Sequence, residues 1–118
     1  MIRRIYHVSK PADWAQQKAA GALTESTLDQ TFDEVGYIHC SFVDQVEAVA
    51  ARHYGAIVGD LVLLEIDADA LGDLLKVEEV GHGAYPHVYG PVPVAAIVAE
   101  HPFRRVDDVW RLPPDLAG

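Results

Sequence analysis

The chain has 118 residues, half of them hydrophobic, which is enough for one apolar core and too few for two. Its net charge of -9 argues against a nucleic-acid surface, because phosphate neutralisation needs clustered Lys and Arg. The single cysteine, Cys40, excludes an intrachain disulfide and a cysteine-based zinc site. We therefore expect a single domain over 1–118, with a core over 1–105 and an irregular tail over 106–118. No stretch reaches the length of a membrane span, so we expect a soluble, cytoplasmic protein with no membrane partner.

The chain begins with a strand-like pattern followed by a helical one. Ile2 to Val8 alternates as a strand does, and His7 lies near the C-terminal end of that run. Ser9 is a candidate N-cap for a short helix that ends at Gly21. The pattern over 22–34 is weak and polar, so we predict a loop there with about one helical turn.

Residues 36–41 form the segment on which most of the functional argument depends. Their sequence, Gly-Tyr-Ile-His-Cys-Ser, predicts a short strand, with Ser41 as a helix N-cap at its end. Side chains alternate along a strand, so the apolar Ile38 and Cys40 should enter the core. The polar side chains of the run should face a cleft on the other side, namely Tyr37, His39 and Ser41. The alternation also excludes a catalytic dyad between the adjacent His39 and Cys40.

The second half of the chain contains further helical and strand patterns. Apolar residues at helical spacing over 42–53 predict an amphipathic helix that ends with His53. The nearly continuous apolar run over 61–66 predicts a central strand buried on both faces. Alternation over 75–78 and again over 96–103 predicts two more strands. The prolines between Pro86 and Pro93 argue against a regular central strand in that stretch. These patterns together predict an α+β domain with about six short strands and two or three helices.

Histidines and arginines are the candidate functional side chains. Three histidines lie in or beside predicted strands, His7, His39 and His87, and three imidazoles with a water would make an open zinc site. No pair has the spacing of a compact ligand motif, so we expect no bound metal and keep this site as a lesser alternative. The sequence contains no Gly-x-Ser-x-Gly elbow and no glycine-rich phosphate loop. Arginines that converge in the fold would hold a small anionic ligand, and the candidates are Arg3, Arg4, Arg52, Arg104 and Arg105.

Five segments, taken in order, resemble a known family. They are Ile5–Val8, Asp13-Trp14, Gly36–Ser41, Leu61–Asp67 and Pro86–Val92. In order and spacing they resemble the bacterial domain of unknown function 952 family, and the match runs from about Ile5 to Phe103. That family is similar to the ADP-ribosyltransferase-like superfamily, in the branch that includes the NAD-dependent RNA 2'-phosphotransferases. The resemblance implies a small split or curved, mainly antiparallel sheet that binds NAD in a cleft.

The resemblance also implies roles for particular residues. His7 and His39 match the histidines on the first two core strands of that branch, and they are the expected catalytic pair, orienting the ribose hydroxyls of NAD. The expected cofactor-binding residues are Tyr37, Ser41, Arg52, His87 and Tyr89, with an arginine stabilising pyrophosphate as the nicotinamide bond breaks. The glutamate of the better-known transferring members has no clear counterpart, and the candidates by location are Glu65, Glu78 and Glu100.

Two functional hypotheses follow. The first is an NAD-dependent ADP-ribosyl-transferring or NAD-cleaving enzyme that acts on a small molecule or a protein. The alternative is a non-catalytic domain that binds a nucleotide-like ligand or a protein partner in the same cleft. Neither hypothesis includes a nucleic-acid partner, and the sequence leaves the oligomeric state open.

Overall fold

The computed structural model describes residues 3–28, 30–57, 59–81 and 83–117, and it contains both helices and strands. In chain order the elements are β1 (Arg4–Ser9), α1 (Pro11–Ala20), β2 (Ala22–Leu23), β3 (Glu25–Thr27), β4 (Gln30–Thr31), α2 (Phe32–Val35), β5 (Ile38–His39), α3 (Val46–His53), β6 (Leu61–Asp67), β7 (Leu75–Glu79), β8 (Ala84–Val88), β9 (Val92–Pro93), β10 (Ile97–Val106), β11 (Val109–Arg111) and α4 (Pro114–Ala117). Among the described residues, no helix is long and apolar enough to cross a lipid bilayer.

The strands form a split antiparallel sheet. Four strands pair in the order β1-β6-β10-β11, and three pair in the order β5-β8-β7. A single bridge between Tyr6 and Ser41 joins the two parts, with both backbone N–H···O distances at 2.8 Å. The predicted α+β class with a split, mainly antiparallel sheet is therefore confirmed.

Strands β1 and β6 of the four-stranded part have buried side chains on both faces. Ile5, Leu64 and Ile66 pack towards α1 and the three-stranded part, in a cluster that includes Trp14. On the other face, strands β1 and β6 pack in a second cluster against α3, Tyr54, Phe103 and Trp110. The predicted central strand over 61–66 is confirmed as β6, between β1 and β10.

Several predicted boundaries are wrong for local reasons. Lys10, not Ser9, is the N-cap residue of α1, although Gly21 does end that helix with a φ of 98°. Ser41 caps no helix, because its backbone pairs with Tyr6 and the turn before α3 is capped by the Gln45 side chain. The predicted loop over 22–34 contains three two- or three-residue strands and the start of α2. Ile2, assigned to the first strand, lies outside the described residues.

Pro86 lies in a central strand, contrary to the prediction. Strand β8 pairs with β5 on one side and with β7 on the other. The Pro86 carbonyl accepts the Cys40 N–H at 3.0 Å, so the backbone of Pro86 faces β5 and not β7. A backbone N–H at position 86 would point beyond the end of the two-residue strand β5. Because it would not point towards β7, the proline costs the ladder to β7 no hydrogen bond.

The C-terminal segment has more order than predicted. Strand β11 pairs with the end of β10, and Trp110 opposes Arg105 in that register. Trp110 is buried against Phe103, with ring centroids 5.2 Å apart. A buried aromatic side chain thus holds a hairpin within the segment 106–118 that was expected to be irregular.

Candidate functional site

A polar cleft of about 220 Å³ lies on the outer face of the three-stranded part of the sheet. Its walls come from β5, β8, the hairpin β3–β4 and the end of α3. The lining residues are Ser26, Thr27, Gln30, Val35, Tyr37, His39, Arg52, His53, Val80 and His87.

Strand register brings two of the predicted histidines together here. His39 on β5 is directly opposite His87 on β8, so both side chains project from the same face of the sheet. Their ring centroids are 5.5 Å apart. The next pair in the register, Ile38 and Val88, is fully buried in the core on the opposite face. The alternation predicted from residues 36–41 is thus what separates the cleft from the core.

His87 is held by a carboxylate and an aromatic ring. Its Nδ1 lies 2.8 Å from Oε1 of Glu78, and the Tyr37 ring stacks on it with centroids 4.0 Å apart. A carboxylate accepts hydrogen bonds, so Nδ1 carries the proton and Nε2 of the neutral ring is an acceptor. That Nε2 atom is buried and has no hydrogen-bond partner in the described structure.

Glu78 is shared between His87 and Tyr89. The Tyr89 hydroxyl donates to the same carboxylate oxygen, and the two bonds lower the pKa of Glu78, with the tyrosine as the larger cause. In return Glu78 raises the pKa of Tyr89 from 10.0 to about 12. The carboxylate therefore stays ionised and fixes the orientation of His87.

His39 is a neutral imidazole. Burial is the main cause that lowers its pKa from 6.5 to about 3, and the next largest is the nearby His87. Its Nε2 is buried and has no hydrogen-bond partner in the described part of the chain. A buried polar group left without a partner costs about 1–3 kcal/mol, so a water or ligand is needed at each of the two Nε2 atoms.

The electrostatic character of the cleft differs from that of the whole chain. The chain has 18 acidic residues, yet no carboxylate is among the described residues that line the cleft. Arg52 lines it with an exposed guanidinium that forms no ion pair or hydrogen bond with another described residue. The cleft is thus a cationic and hydrogen-bonding site on an acidic protein.

The comparisons with known proteins come from a family model and from solved structures. Residues 8–100 match the family model described as protein of unknown function DUF952. The chain belongs to the DUF952 family. It is 33% identical to protein CC0527 from Caulobacter crescentus, whose crystal structure matches with a TM-score of 0.83, covering 97% of this chain and 98% of that chain. The solution NMR structure of CC0527 matches with a TM-score of 0.72 at 32% identity, covering 91% and 90% of the two chains. No curated protein matches significantly.

In this DUF952 chain, His7 lies beneath the cleft and not in its wall. It is 2% exposed, and its Nδ1 donates to the His39 carbonyl at 2.8 Å while its Nε2 lies 3.1 Å from Glu25. Burial alone would lower its pKa, but Cys40 and Glu25 outweigh burial and raise the pKa from 6.5 to about 10. Since both acceptors need a donated proton, His7 is an imidazolium paired with the Glu25 carboxylate. It has no ring nitrogen left for a ribose hydroxyl.

Ser41 lies beside the same buried pair, contrary to its expected place in the cleft. It is 2% exposed and borders a void of about 10 Å³ that His7 and His39 also line. A void of that size accommodates about one water molecule. Ser41 therefore belongs to the junction between the two parts of the sheet.

The remaining candidates divide clearly between the cleft and other surfaces. Tyr89 does not line the cleft, but it supports it through Glu78 and through its ring, 5.8 Å from that of Tyr37. Glu78 is the candidate glutamate at the site, because Glu65 pairs with Arg4 and His101 and Glu100 pairs with Lys18. The arginines do not converge. Three of the other arginines pair with carboxylates outside the cleft, namely Arg3, Arg4 and Arg104. Arg105 donates to a backbone carbonyl.

Four of the polar side chains that line the cleft were missed from the sequence. Ser26, Thr27 and Gln30 lie in the β3–β4 hairpin that was predicted as a loop, and its two short strands carry no periodic signal. His53 was assigned only to the apolar stripe of its helix, yet its ring lies 6.0 Å from that of His39. Among the described residues, no group of three or more His, Cys, Asp or Glu is arranged to hold a metal ion. The metal alternative therefore gains no support.

Proposed function

We propose that the cleft binds a small phosphorylated ligand of the nucleotide type, with its ribose phosphate inside the cleft. The observation that carries the proposal is the guanidinium of Arg52, which has no ion-pair partner among the described residues, in a cleft whose described lining holds no carboxylate, on a chain of net charge -9. A guanidinium forms bidentate hydrogen bonds with phosphate oxygens and stays charged at any working pH. Arg52 is the phosphate-binding group in this proposal.

The two unpartnered imidazole nitrogens favour a ligand with hydroxyl groups. Nε2 of His87 is an acceptor, which a phosphate without protons cannot satisfy and a hydroxyl can. Nε2 of His39 accepts or donates according to its tautomer, and a hydroxyl is a partner in either case. A ribose diol between His39 and His87 and a phosphate on Arg52 would satisfy all three groups.

The size of the cleft favours part of a nucleotide over a whole dinucleotide. Pockets that enclose a complete drug-sized ligand usually have about 300–1,000 Å³. The cleft has about 220 Å³, so a dinucleotide would extend beyond it. We therefore expect ribose 5-phosphate, AMP and ADP-ribose to use the same contacts, with any base or second phosphate outside.

Cleavage of NAD is the second candidate function, and the Glu78–His87 hydrogen bond favours it. In this reaction water replaces nicotinamide at the ribose C1', the C–N bond breaks, and the C–O bond forms. The water proton would pass to Nε2 of His87, whose other nitrogen is held by the Glu78 carboxylate 2.8 Å away. Such an activity would agree with the resemblance to the ADP-ribosyltransferase-like superfamily that the sequence segments imply.

Isothermal titration calorimetry with ribose 5-phosphate, AMP, ADP-ribose, NAD and inorganic phosphate tests the proposal. We expect the ribose phosphates to bind more tightly than inorganic phosphate, because only they reach both imidazoles. Arg52→Ala should weaken binding at least about tenfold, since a hydrogen bond to a charged group contributes about 1.5–3 kcal/mol. His39→Ala should weaken it about two- to tenfold, with little change in melting temperature.

Arg104→Ala is the matched control, because Arg104 is an exposed arginine paired with Asp60 outside the cleft. Its binding should equal that of the wild type. No binding of any ribose phosphate, or an equal loss in both arginine variants, would contradict the proposal. Release of nicotinamide from NAD, followed by chromatography, separates the enzyme from the binder, and binding without release leaves the binding function alone.

A further inference from the structure

Strand β7 has a free edge with a defined hydrogen-bonding pattern. The strand is at the end of the order β5-β8-β7, and among the described residues it pairs only with β8. Tyr89 donates to the Leu74 carbonyl and Val80 to the Gly83 carbonyl, so the hydrogen-bonded pairs with β8 fall at alternate residues. The residues between them direct their backbone N–H and C=O groups away from β8, and these are Leu75, Val77 and Glu79.

Apolar side chains are exposed beside this edge. Val77 is 49% exposed, and three further large apolar side chains near it are exposed as well, namely Leu74, Val80 and Tyr89. Unpaired backbone groups next to exposed apolar side chains are a template for pairing with another strand. This edge of β7 does not line the cleft for which ligand binding is proposed above.

We propose that two copies of this chain pair through β7, antiparallel and centred on Val77. The strand reads Leu-Lys-Val-Glu-Glu over 75–79, so this register places Lys76 opposite the partner's Glu78 on both sides of the two-fold axis. The residues with outward-facing backbone groups then oppose one another, Val77 with its own copy and Leu75 with the partner's Glu79. These three pairs give about four inter-chain hydrogen bonds, because the Leu75 N–H already donates to the Gly72 carbonyl in each copy.

The neighbouring registers are unfavourable, which selects this one. Centring the pair on Lys76 places two ammonium groups opposite each other. Centring it on Glu78 places two carboxylates opposite each other. Of these three registers, only the Val77-centred one places opposite charges across the axis, and a β-branched pair at its centre adds packing. The edge is complementary to itself, and this is the argument for a second copy over a foreign strand.

The pairing also connects each cleft with the other chain. Lys76 and Glu78 alternate with the core-facing residues of β7, so they lie on the cleft side of the sheet, where Glu78 holds His87. In the dimer the partner's Lys76 lies beside this carboxylate. The two three-stranded parts become one six-stranded sheet with both clefts on the same face.

Analytical ultracentrifugation of the full chain and of charge variants tests the proposal. The wild type should sediment as a dimer at micromolar concentration. Lys76→Glu places a carboxylate on both sides of each pair between positions 76 and 78. Glu78→Lys places an ammonium group on both sides of the same pairs. Each variant alone should therefore raise the dimer Kd at least about tenfold. A mixture of the two variants restores opposite charges at both pairs and should form a heterodimer.

Val77→Pro supplies a second variant that does not depend on charge. The Val77 N–H faces away from β8, so proline there removes inter-chain bonds and leaves the ladder to β8 intact. Circular dichroism should show the wild-type fold with the dimer lost. A monomeric wild type at all concentrations up to the millimolar range would overturn the proposal, as would a dimer unchanged by Lys76→Glu or single variants that do not recover on mixing. A wild-type monomer that captures an unrelated strand peptide would also overturn it.

Discussion

Replacing Glu25 by glutamine tests the assignment of His7 as a buried imidazolium. The folded His7 has a pKa of about 10, above its ordinary value of 6.5, because Cys40 and Glu25 outweigh burial. The folded state therefore binds more protons than the unfolded state between these two values, and stability falls as pH rises through that window. Below about pH 6.5 the stabilisation is fully present.

The size of the effect follows from the two pKa values. A shift from 6.5 to about 10 predicts a loss of about 2 kcal/mol between about pH 6.5 and about pH 8.5. In Glu25→Gln the carboxylate is gone and Cys40 alone opposes burial, so the pKa of His7 falls below its wild-type value while Nδ1 still donates to the His39 carbonyl. The variant should be less stable than the wild type at pH 6.5 by about 1–3 kcal/mol, and its stability should fall less steeply with pH over the window.

Urea unfolding at several pH values between these limits measures both quantities. Glu100→Gln is the matched control, because Glu100 is an exposed carboxylate that is bonded to Lys18 and lies two strands away from His7, and it should keep the wild-type slope. A wild type whose stability is flat from pH 6.5 to 8.5 would refute the buried imidazolium, and an equal slope in Glu25→Gln would refute its ion pair with Glu25.

Two further predictions concern the cleft. The pKa of His39 is lowered from 6.5 to about 3 in the folded state. Between these two pH values the unfolded state binds a proton that the folded state does not, so the free energy of unfolding falls as the pH drops from 6.5 towards 3. From pH 6.5 to about 5 this loss is about 1.5 kcal/mol, and urea unfolding of His39→Gln should show a correspondingly smaller loss. Because Glu78 raises the pKa of Tyr89 to about 12, Glu78→Gln should return one tyrosine titration towards 10.0, measured by absorbance at alkaline pH. An unchanged tyrosine titration would mean that Glu78 does not raise the pKa of Tyr89 in solution.

The parts of the fold predicted correctly are those in which local periodicity decides the structure. Alternation over 36–41 placed Ile38 in the core and His39 on the cleft face, because a strand has only two faces. The apolar run of β6 predicted its central position, since burial on both faces leaves no polar alternation.

The remaining features depend on tertiary contacts that leave no local pattern. Glu25 lies in a three-residue strand and its partner His7 is 18 positions away, so nothing near either residue indicates the pair. The same holds for His53, whose place in the cleft depends on how α3 packs against the sheet. NAD binding is a prediction from the resemblance to the ADP-ribosyltransferase-like superfamily, whereas the cationic character of the described cleft lining comes from the structure.

Pro86 ends the ladder between β5 and β8. Cys40 donates to the Pro86 carbonyl, but a proline has no N–H to return to the Cys40 carbonyl, so the ladder stops after one bond at this pair. The next residue, Ser41, directs its backbone groups to the opposite edge and exchanges both of its bonds with Tyr6 of β1. The segment 38–41 thus bonds to β8 on one edge and to β1 on the other. Four residues connect the two parts of the sheet, and the cleft lies beside that connection.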